Sequence, residues 1–438
     1  MTLRETAFEG RSADWLEPAA ALRRILECCE PLPREDIPLA GCLGRALAED
    51  VHSEVTLPPW DNAAMDGYAV RGQDVDGARP SSPATFRVRA LTRAGAAPAG
   101  AVGPGEAVRI MTGAPLPPGA DTVVRVEDTD GEVVPGRLLI LHDRDRNGNV
   151  RPGGADMRPG DLVLKRGDGI HPGTVGLLAA LGRERVGVHR RPSVAILTTG
   201  DELRGPERYA DVRSGGGIPD SNGPMLAAQT VAAGGIPLVL GIVPDDAGAL
   251  LAAVERAAPS DVLVTVGGAS MGEADLVKRV LDGAGFRQGF WRVRMRPGSP
   301  FSFGSLPRTG PAQPVFGLPG NPASAFVTFE LFVRPFLLRL AGHHSVHRRR
   351  LRCRAGESLA GGERTGFLRV RLEAGPDGAV ARRTGPQASG LVRGLASAQG
   401  LAVVAPGPGV AEGEAVDVIL LDPAPGATDV SPLDAPGP

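Results

Sequence analysis

Ser193-Val194-Ala195-Ile196-Leu197-Thr198-Thr199-Gly200-Asp201-Glu202 is an apolar run that ends at a glycine and two carboxylates. Bounded by Pro192 and Gly200, a run of this length reads as a buried strand. The pattern returns downstream. Strands are expected at 236–243 and 262–266, alternating with helices near 225–233, 247–257 and 274–281. Shorter strands over 289–294, 301–303 and 315–318 follow, then a long helix beginning at Pro322. Alternation of β and α at this spacing predicts a mainly parallel sheet covered on both faces.

Outward from that core the texture changes. Toward the N-terminus, Trp15, Ala19, Leu22, Ile25 and Leu26 fall on one helical face. Short apolar segments separated by Gly and Pro fill 51–142 and predict a small β-rich unit. Gly, Arg and Asp dominate 147–169, and a short helix is expected over 174–181. The stretch 351–421 is again β-rich, and 423–438 carries Pro, Gly and Asp without a core-forming pattern, as in a disordered tail. With 438 residues of which 42% are hydrophobic, several domains can each bury a core. The 61 glycines and 41 prolines therefore read as turns between strands.

A net charge of −2 argues against nucleic-acid binding driven by bulk charge. Cys28, Cys29, Cys42 and Cys353 make neither a CxxC pair nor a disulfide framework, which fits a reducing, cytoplasmic setting. No apolar stretch reaches the length of a membrane span, and no apolar region follows the first residues as in an export signal.

Ligands of open parallel sheets bind beyond the carboxyl ends of the strands. Three unusual loops fall there: Thr198 to Glu202, Gly267-Gly268-Ala269-Ser270-Met271-Gly272-Glu273-Ala274-Asp275, and Gly317-Leu318-Pro319-Gly320-Asn321-Pro322. Glycines let backbone N–H groups converge on an oxyanion. Glu202, Asp275 and Asp245-Asp246 bring carboxylates to the same rim, which makes sense beside phosphate chiefly if Mg²⁺ bridges them. Each loop also has an ordinary reading. Gly267-Gly268 suits a tight turn, Asp201-Glu202 and Asp245-Asp246 suit helix caps, and Pro322 is a good helix start anywhere. Convergence on one sheet edge is what gives them weight. Upstream, Trp60-Asp61-Asn62-Ala63-Ala64-Met65-Asp66-Gly67-Tyr68-Ala69-Val70-Arg71 follows neither periodicity, and Thr112 sits in a sharp turn at the end of an expected strand.

Residues 61–71, 111–115, 199–203, 267–275 and 317–322, in this order, resemble the MoeA-type molybdopterin molybdenumtransferases, a family that includes the gephyrin E domain. Arg151-Pro152-Gly153-Gly154-Ala155-Asp156 is similar to a further segment of that family, and the similarity spans about 12–420. It implies an α/β multidomain protein. An elongated first domain (12–50 and 143–185) carries an inserted β-rich domain (51–142). A three-layer α/β domain (186–346) resembles the molybdopterin adenylyltransferase fold, and a β-barrel-like domain (347–422) follows. The implied enzyme is a homodimer with its site between the α/β domain of one subunit and the β domain of the other. It inserts molybdate into adenylylated molybdopterin with Mg²⁺ and releases AMP. Transient contact with the adenylyltransferase and with acceptor molybdoenzymes is implied, and no nucleic acid or membrane.

By the same resemblance Asp61, Thr112, Glu202 and Asp275 are expected to be catalytic, Asp61 foremost. Glu202, Asp246, Asp275 and Asp156 would hold metal. Gly267, Gly268, Ser270, Gly272, Arg296, Ser299, Pro319, Asn321 and Ser389 would bind substrate. Where the family commonly has Met-Lys-Pro-Gly-Lys-Pro, this chain reads Met295-Arg296-Pro297-Gly298-Ser299-Pro300. Arg296 keeps a cation able to grip an oxyanion, whereas Ser299 removes the second, so another arginine such as Arg294 would have to supply it. The rival readings are an adenylyltransferase-type enzyme, a tungstate-inserting relative and an inert scaffold on the same fold. His343, His344 and His347 beside Arg348-Arg349-Arg350 read as a solvated linker, since no carboxylate or cysteine completes a ligand set.

Overall fold

The computed structural model of the protein describes residues 15–267, 276–375 and 378–421, so the tail expected from 423 lies outside the described residues. The chain falls into two compact units, one of residues 1–48, 167–175 and 185–438, the other of 49–166 and 176–184.

The first unit is built on a six-stranded sheet ordered Ile236–Val243, Ser193–Thr199, Val262–Val266, Gln313–Leu318, Ser302–Leu306, Arg287–Trp291. The first four strands are parallel, and the last two run antiparallel to their neighbours. Alternation sorts the side chains. Val194, Ile196, Val262, Val264 and Phe316 pack on one face with Leu226, Phe332 and Phe336. Ala195, Leu197, Leu263 and Val315 face Leu250, Val254, Val277 and Leu281 on the other. Helices thus cover both faces and give three layers.

Coverage fails only at the edge. Ile236, Leu238 and Val239 are 53%, 44% and 49% exposed, and Pro237 sits in that strand as edge strands allow. The first helix, Pro18–Glu27, turns the expected face inward, with Ile25 buried and Leu22 packed against the core, except that Ala21 is buried in place of Ala19, which is exposed. The long helix from Pro322 is broken. Pro322–Thr328 and Arg334–Leu340 are joined by a wide π-type turn over Phe329–Val333. Pro335 has no N–H for the regular ladder and its ring crowds the preceding turn, which accounts for the break.

Arg350–Ala355, Thr365–Gly375, Gly378–Arg383, Gly400–Val404 and Ala415–Leu420 pair in a ring that closes between Thr365–Gly375 and Gly400–Val404, a five-stranded barrel. Cys353, Val370, Ala381, Ala402 and Val418 fill it. Met295–Arg296 adds to this barrel as a short parallel strand, Met295 against Thr365 and Arg296 against Gly366.

At the amino ends of the sheet, Asp261 ties two strands together. Its carboxylate accepts from both Arg190 Nη atoms (2.9 and 2.6 Å) and from the Ser193 N–H and Oγ–H (each 2.7 Å). Burial pushes this carboxyl up, but the hydrogen bonds from Arg190 and Ser193 outweigh it and hold the group below the ordinary carboxylate range. A lowered native pKa contributes stability that is complete above about pH 4 and is lost as pH falls through the native value. Asp261→Asn is expected to cost about 1.5–3 kcal/mol at pH 7. The cost should shrink as the pH of the melts drops below about 4.

The second unit carries a five-stranded sheet ordered Thr122–Arg125, Gly67–Val70, Glu106–Ile110, Ala84–Thr92, Arg137–Ile140. Tyr68, Val70, Phe86, Val124 and Leu138 fill one face, and Ala69, Val108, Ile110 and Val123 the other. A Cβ at Gly67 would stand 2.1 Å from the Val124 carbonyl oxygen, so only glycine fits. Gly67→Ala should cost about 1–3 kcal/mol, read as a lower denaturation midpoint.

Candidate active site

The strand order places Ser193–Thr199 between the second and third strands of the chain path, so the connection reverses beside it, and a crevice opens at such a point. A cavity of about 790 Å³ lies there, lined among others by Thr199, Glu202, Asn222, Asp245, Gly267 and Arg279. Glu202 and Asp245 have no cationic partner among the described residues. Asp245 Oδ1 accepts from Thr199 Oγ at 2.6 Å, and its N–H donates to Asp201 Oδ1 at 3.1 Å. The neighbouring Asp246 does different work: it caps helix Ala247–Arg256 by accepting from the Ala249 N–H at 2.8 Å. Of this pair, the carboxylate on the cavity wall is therefore Asp245, where the sequence favours Asp246. Gly268, Ser270, Gly272 and Asp275 lie outside the described residues.

Asn222 was missed by sequence reading. It starts helix Asn222–Ala232 and its Nδ2 donates to the Gly320 carbonyl at 2.7 Å, leaving on the cavity wall a buried Oδ1 without a partner among the described residues. An orphaned buried acceptor is costly unless a ligand N–H or O–H meets it. The only signal in the sequence is Asp220-Ser221-Asn222-Gly223-Pro224, which reads as a helix cap.

A second cavity, about 650 Å³, lies between the α/β sheet and the barrel and shares Pro300, Pro319 and Asn321 with the first. Arg296, Ser299, Arg364, Arg383, Gln387 and Ser389 are on its wall. Three arginines thus face it, but they are not equivalent. Arg383 is taken up by Glu357, with Nε and Nη2 donating to Oε2 at 2.9 and 2.5 Å. Arg364 lies over the Trp15 ring at 4.7 Å, and Arg292 lies over Trp15 and Trp291 at 5.3 and 4.2 Å. Neither Arg296 nor Arg364 has a carboxylate partner among the described residues. The second cation is therefore Arg364. Arg294, the substitute considered from sequence, is exposed beside Glu17 at 3.9 Å and does not line the cavity. Nothing in the sequence pairs Arg364 with Arg296 across 68 positions; only the strand pairing of Arg296 with Gly366 does.

Arg369 secures the loop bearing Ser389. It is 1% exposed, Nη2 donates to the Pro386 and Ala388 carbonyls (3.0 and 3.3 Å), and its N–H donates to Gln387 Oε1 at 2.8 Å. The Ser389 carbonyl in turn accepts the Ala323 N–H at 2.9 Å. Ser299 is nearly buried, and its carbonyl accepts from the Val293 N–H.

In the other unit, Asp61 Oδ1 accepts from the Gly153 N–H at 2.7 Å. Thr112 does not offer a free donor: its N–H and Oγ–H both donate to Asp66 Oδ1 at 2.7 Å, holding that carboxyl below its usual range. Asp156 is exposed, its N–H donating to the Leu57 carbonyl. Of the histidines, His344 and His347 are exposed and His343 is half-buried, its pKa pushed down by burial and by Arg334. Arg348 is not solvated as expected but donates to the buried Glu330, which also accepts from Gln229.

A cavity at the switch point of an open sheet is where proteins of the open α/β class bind their ligands, beyond the carboxyl ends of the strands. Three family models match: "MoeA N-terminal region (domain I and II)" over 16–182, "Probable molybdopterin binding domain" over 195–339, and "MoeA C-terminal region (domain IV)" over 352–421. Molybdopterin molybdenumtransferase 2 of Mycobacterium tuberculosis is 36% identical over 88% of this chain and 93% of its own length. The molybdopterin molybdenumtransferase of Bacillus subtilis is 37% identical over 72% and 73%. Among solved structures, a molybdopterin biosynthesis MoeA protein from Pyrococcus horikoshii OT3 superposes with a TM-score of 0.80 at 27% identity, over 93% of this chain and all of that one. The chain belongs to the MoeA-type molybdopterin molybdenumtransferase family and is a transferase.

Proposed function

We propose that this transferase completes the molybdenum cofactor, taking adenylylated molybdopterin and molybdate and releasing AMP. The observation that carries the reading is the pair of adjoining cavities: among the described residues, Glu202 and Asp245 on the first have no cationic partner and Asn222 Oδ1 has no donor, while Arg296 and Arg364 on the second have no carboxylate partner. A phosphate link suits the first and a tetrahedral dianion the second. Arg296 and Arg364 would hold molybdate, with the Ser389 and Ser299 hydroxyls as further donors.

Glu202 and Asp245 fit Mg²⁺ as a donor set, since hard oxygen ligands from one or two carboxylates plus substrate phosphate are what that ion takes. Asp275 is proposed as a third. When bound, the ion would offset charge on the adenylyl phosphate. The chain's own groups would then orient the anhydride and a water, and cleavage of the P–O link would yield AMP. In the second cavity two dithiolene thiols would displace one oxo group of molybdate, both thiol protons leaving with it as water. Asp61 and Asp66 are proposed as substrate-facing carboxylates of the other unit, and the enzyme is proposed to act as a cytoplasmic homodimer.

The test is a reconstitution with adenylylated molybdopterin, Mg²⁺ and molybdate, following AMP release alongside activation of an apo-molybdoenzyme. Both should appear together. Transfer of AMP from MgATP to unmodified molybdopterin, without insertion, would sink the reading in favour of an adenylyltransferase.

A further inference from the structure

Beside Asp61 lies a slot that suits neither phosphate nor molybdate. It has a volume of about 490 Å³, within the range of small-molecule sites, and Trp60, Asp61, Ala96, Pro98, Pro115 and Leu116 are on its wall. Trp60 is 48% exposed. The segment sharing the slot, Gly95-Ala96-Ala97-Pro98, has no side chain larger than a proline ring. An accessible indole among small apolar groups is a platform for a flat ring.

The platform is held in place. Gly153 N–H donates to Asp61 Oδ1, Leu116 N–H donates to the Asp61 carbonyl at 2.8 Å, and Asn62 Nδ2 donates to the Trp60 carbonyl at 3.3 Å. A Cβ at Gly153 would already stand 3.2 Å from the Trp60 Cα, so the backbone there is clamped from behind. Among the described residues, Asp61 is the one charge on this wall. A carboxylate has about four acceptor positions, and a single Gly153 N–H uses only one of them.

We infer that this slot takes the pterin ring, stacked on Trp60, with its 2-amino-4-oxo pyrimidine edge donating to Asp61. The inference rests on the proposed molybdopterin reading and assigns the part of the substrate that this unit holds. A pterin presents a ring N–H and an amino group side by side, the same two-donor edge by which carboxylates select guanine-like bases. Adenine presents one amino donor beside a ring acceptor, whose lone pair would meet the carboxylate oxygens. Phosphate and molybdate are repelled outright. The carboxylate thus sorts the flat ring of the pterin from that of the adenylate.

The full-length protein is titrated into 6-hydroxymethylpterin, reading the anisotropy of the pterin's own fluorescence, excited beyond indole absorption. Saturable binding is expected. Trp60→Ala and Asp61→Asn should each weaken it about tenfold or more, in line with the worth of a stacked ring. Ala96→Leu, which narrows the slot without touching either contact residue, should do the same. Excess adenosine should leave the signal unchanged. Displacement by adenosine at comparable concentration, absence of binding, or binding indifferent to both Trp60→Ala and Ala96→Leu would each overturn the assignment. The same preparations are assayed for molybdenum insertion. A wild type that inserts but fails the titration defeats the ring assignment alone, and one that never inserts defeats the reading beneath it.

Discussion

Substituting Gln for both Arg296 and Arg364 is expected to raise the KM for molybdate about a thousandfold, since each charge-assisted hydrogen bond is worth about 1.5–3 kcal/mol and every 1.4 kcal/mol is tenfold. The two guanidiniums are the cavity's cations without a carboxylate partner among the described residues, whereas Arg383 is already satisfied by Glu357. Arg383→Gln should therefore change KM far less, and it serves as the control. Trp15→Ala should fall between, because it removes the ring under Arg364 and leaves the charge. Initial rates of insertion across a molybdate series decide the matter. A double variant with wild-type KM means that the anion is held elsewhere.

The second large effect concerns phosphate cleavage. Glu202→Gln is expected to slow AMP release about a hundredfold or more, the scale on which a carboxylate that positions metal or water acts. Its side chain is exposed on the cavity wall and carries no structural hydrogen bond among the described residues, so the melting temperature should stay near wild type. Asp245→Asn should show a similar loss, because Oδ1 is tied to Thr199 and the carboxylate is fixed at the rim. Asp246→Asn should leave cleavage near wild type, since that residue caps a helix. If Asp246→Asn proves the damaging change and Asp245→Asn the silent one, the assignment of the wall is reversed.

What could be read in advance follows from which forces are local. Val194 to Leu197 and Val262 to Val266 are apolar on both faces and end at glycines, so their place as central strands was plain. The sheet's edge was not, because Ile236, Leu238 and Val239 look as apolar as a core strand and only pairing on one side leaves them exposed. In the helix 18–27 periodicity places Ile25 and Leu22 inward correctly, and the burial of Ala21 in place of Ala19 is set by what lies beneath, which periodicity does not report. At the site, adjacency misled. Asp245 and Asp246 are indistinguishable as letters, and backbone direction sends one to the wall and the other to a cap. The Thr112 hydroxyl reads as that of a turn, and its engagement by Asp66 is not legible because the two are 46 positions apart. Arg364 and Asn222 escaped notice for the same reason, their partners being brought near by strand pairing and by the turn at Gly320.

The bridge of Met295–Arg296 to Thr365–Gly366 would set the backbone span of the proposed arginine clamp. With Met295 paired to Thr365 and Arg296 to Gly366, the backbone on either side of the proposed clamp would keep one spacing whatever anion lies between. A clamp of constant width sorts visitors by charge and geometry, and sulfate shares both with molybdate. Cellular sulfate should therefore act as a simple competitor, and the enzyme's working rate would track the ratio of the two anions more than the amount of either.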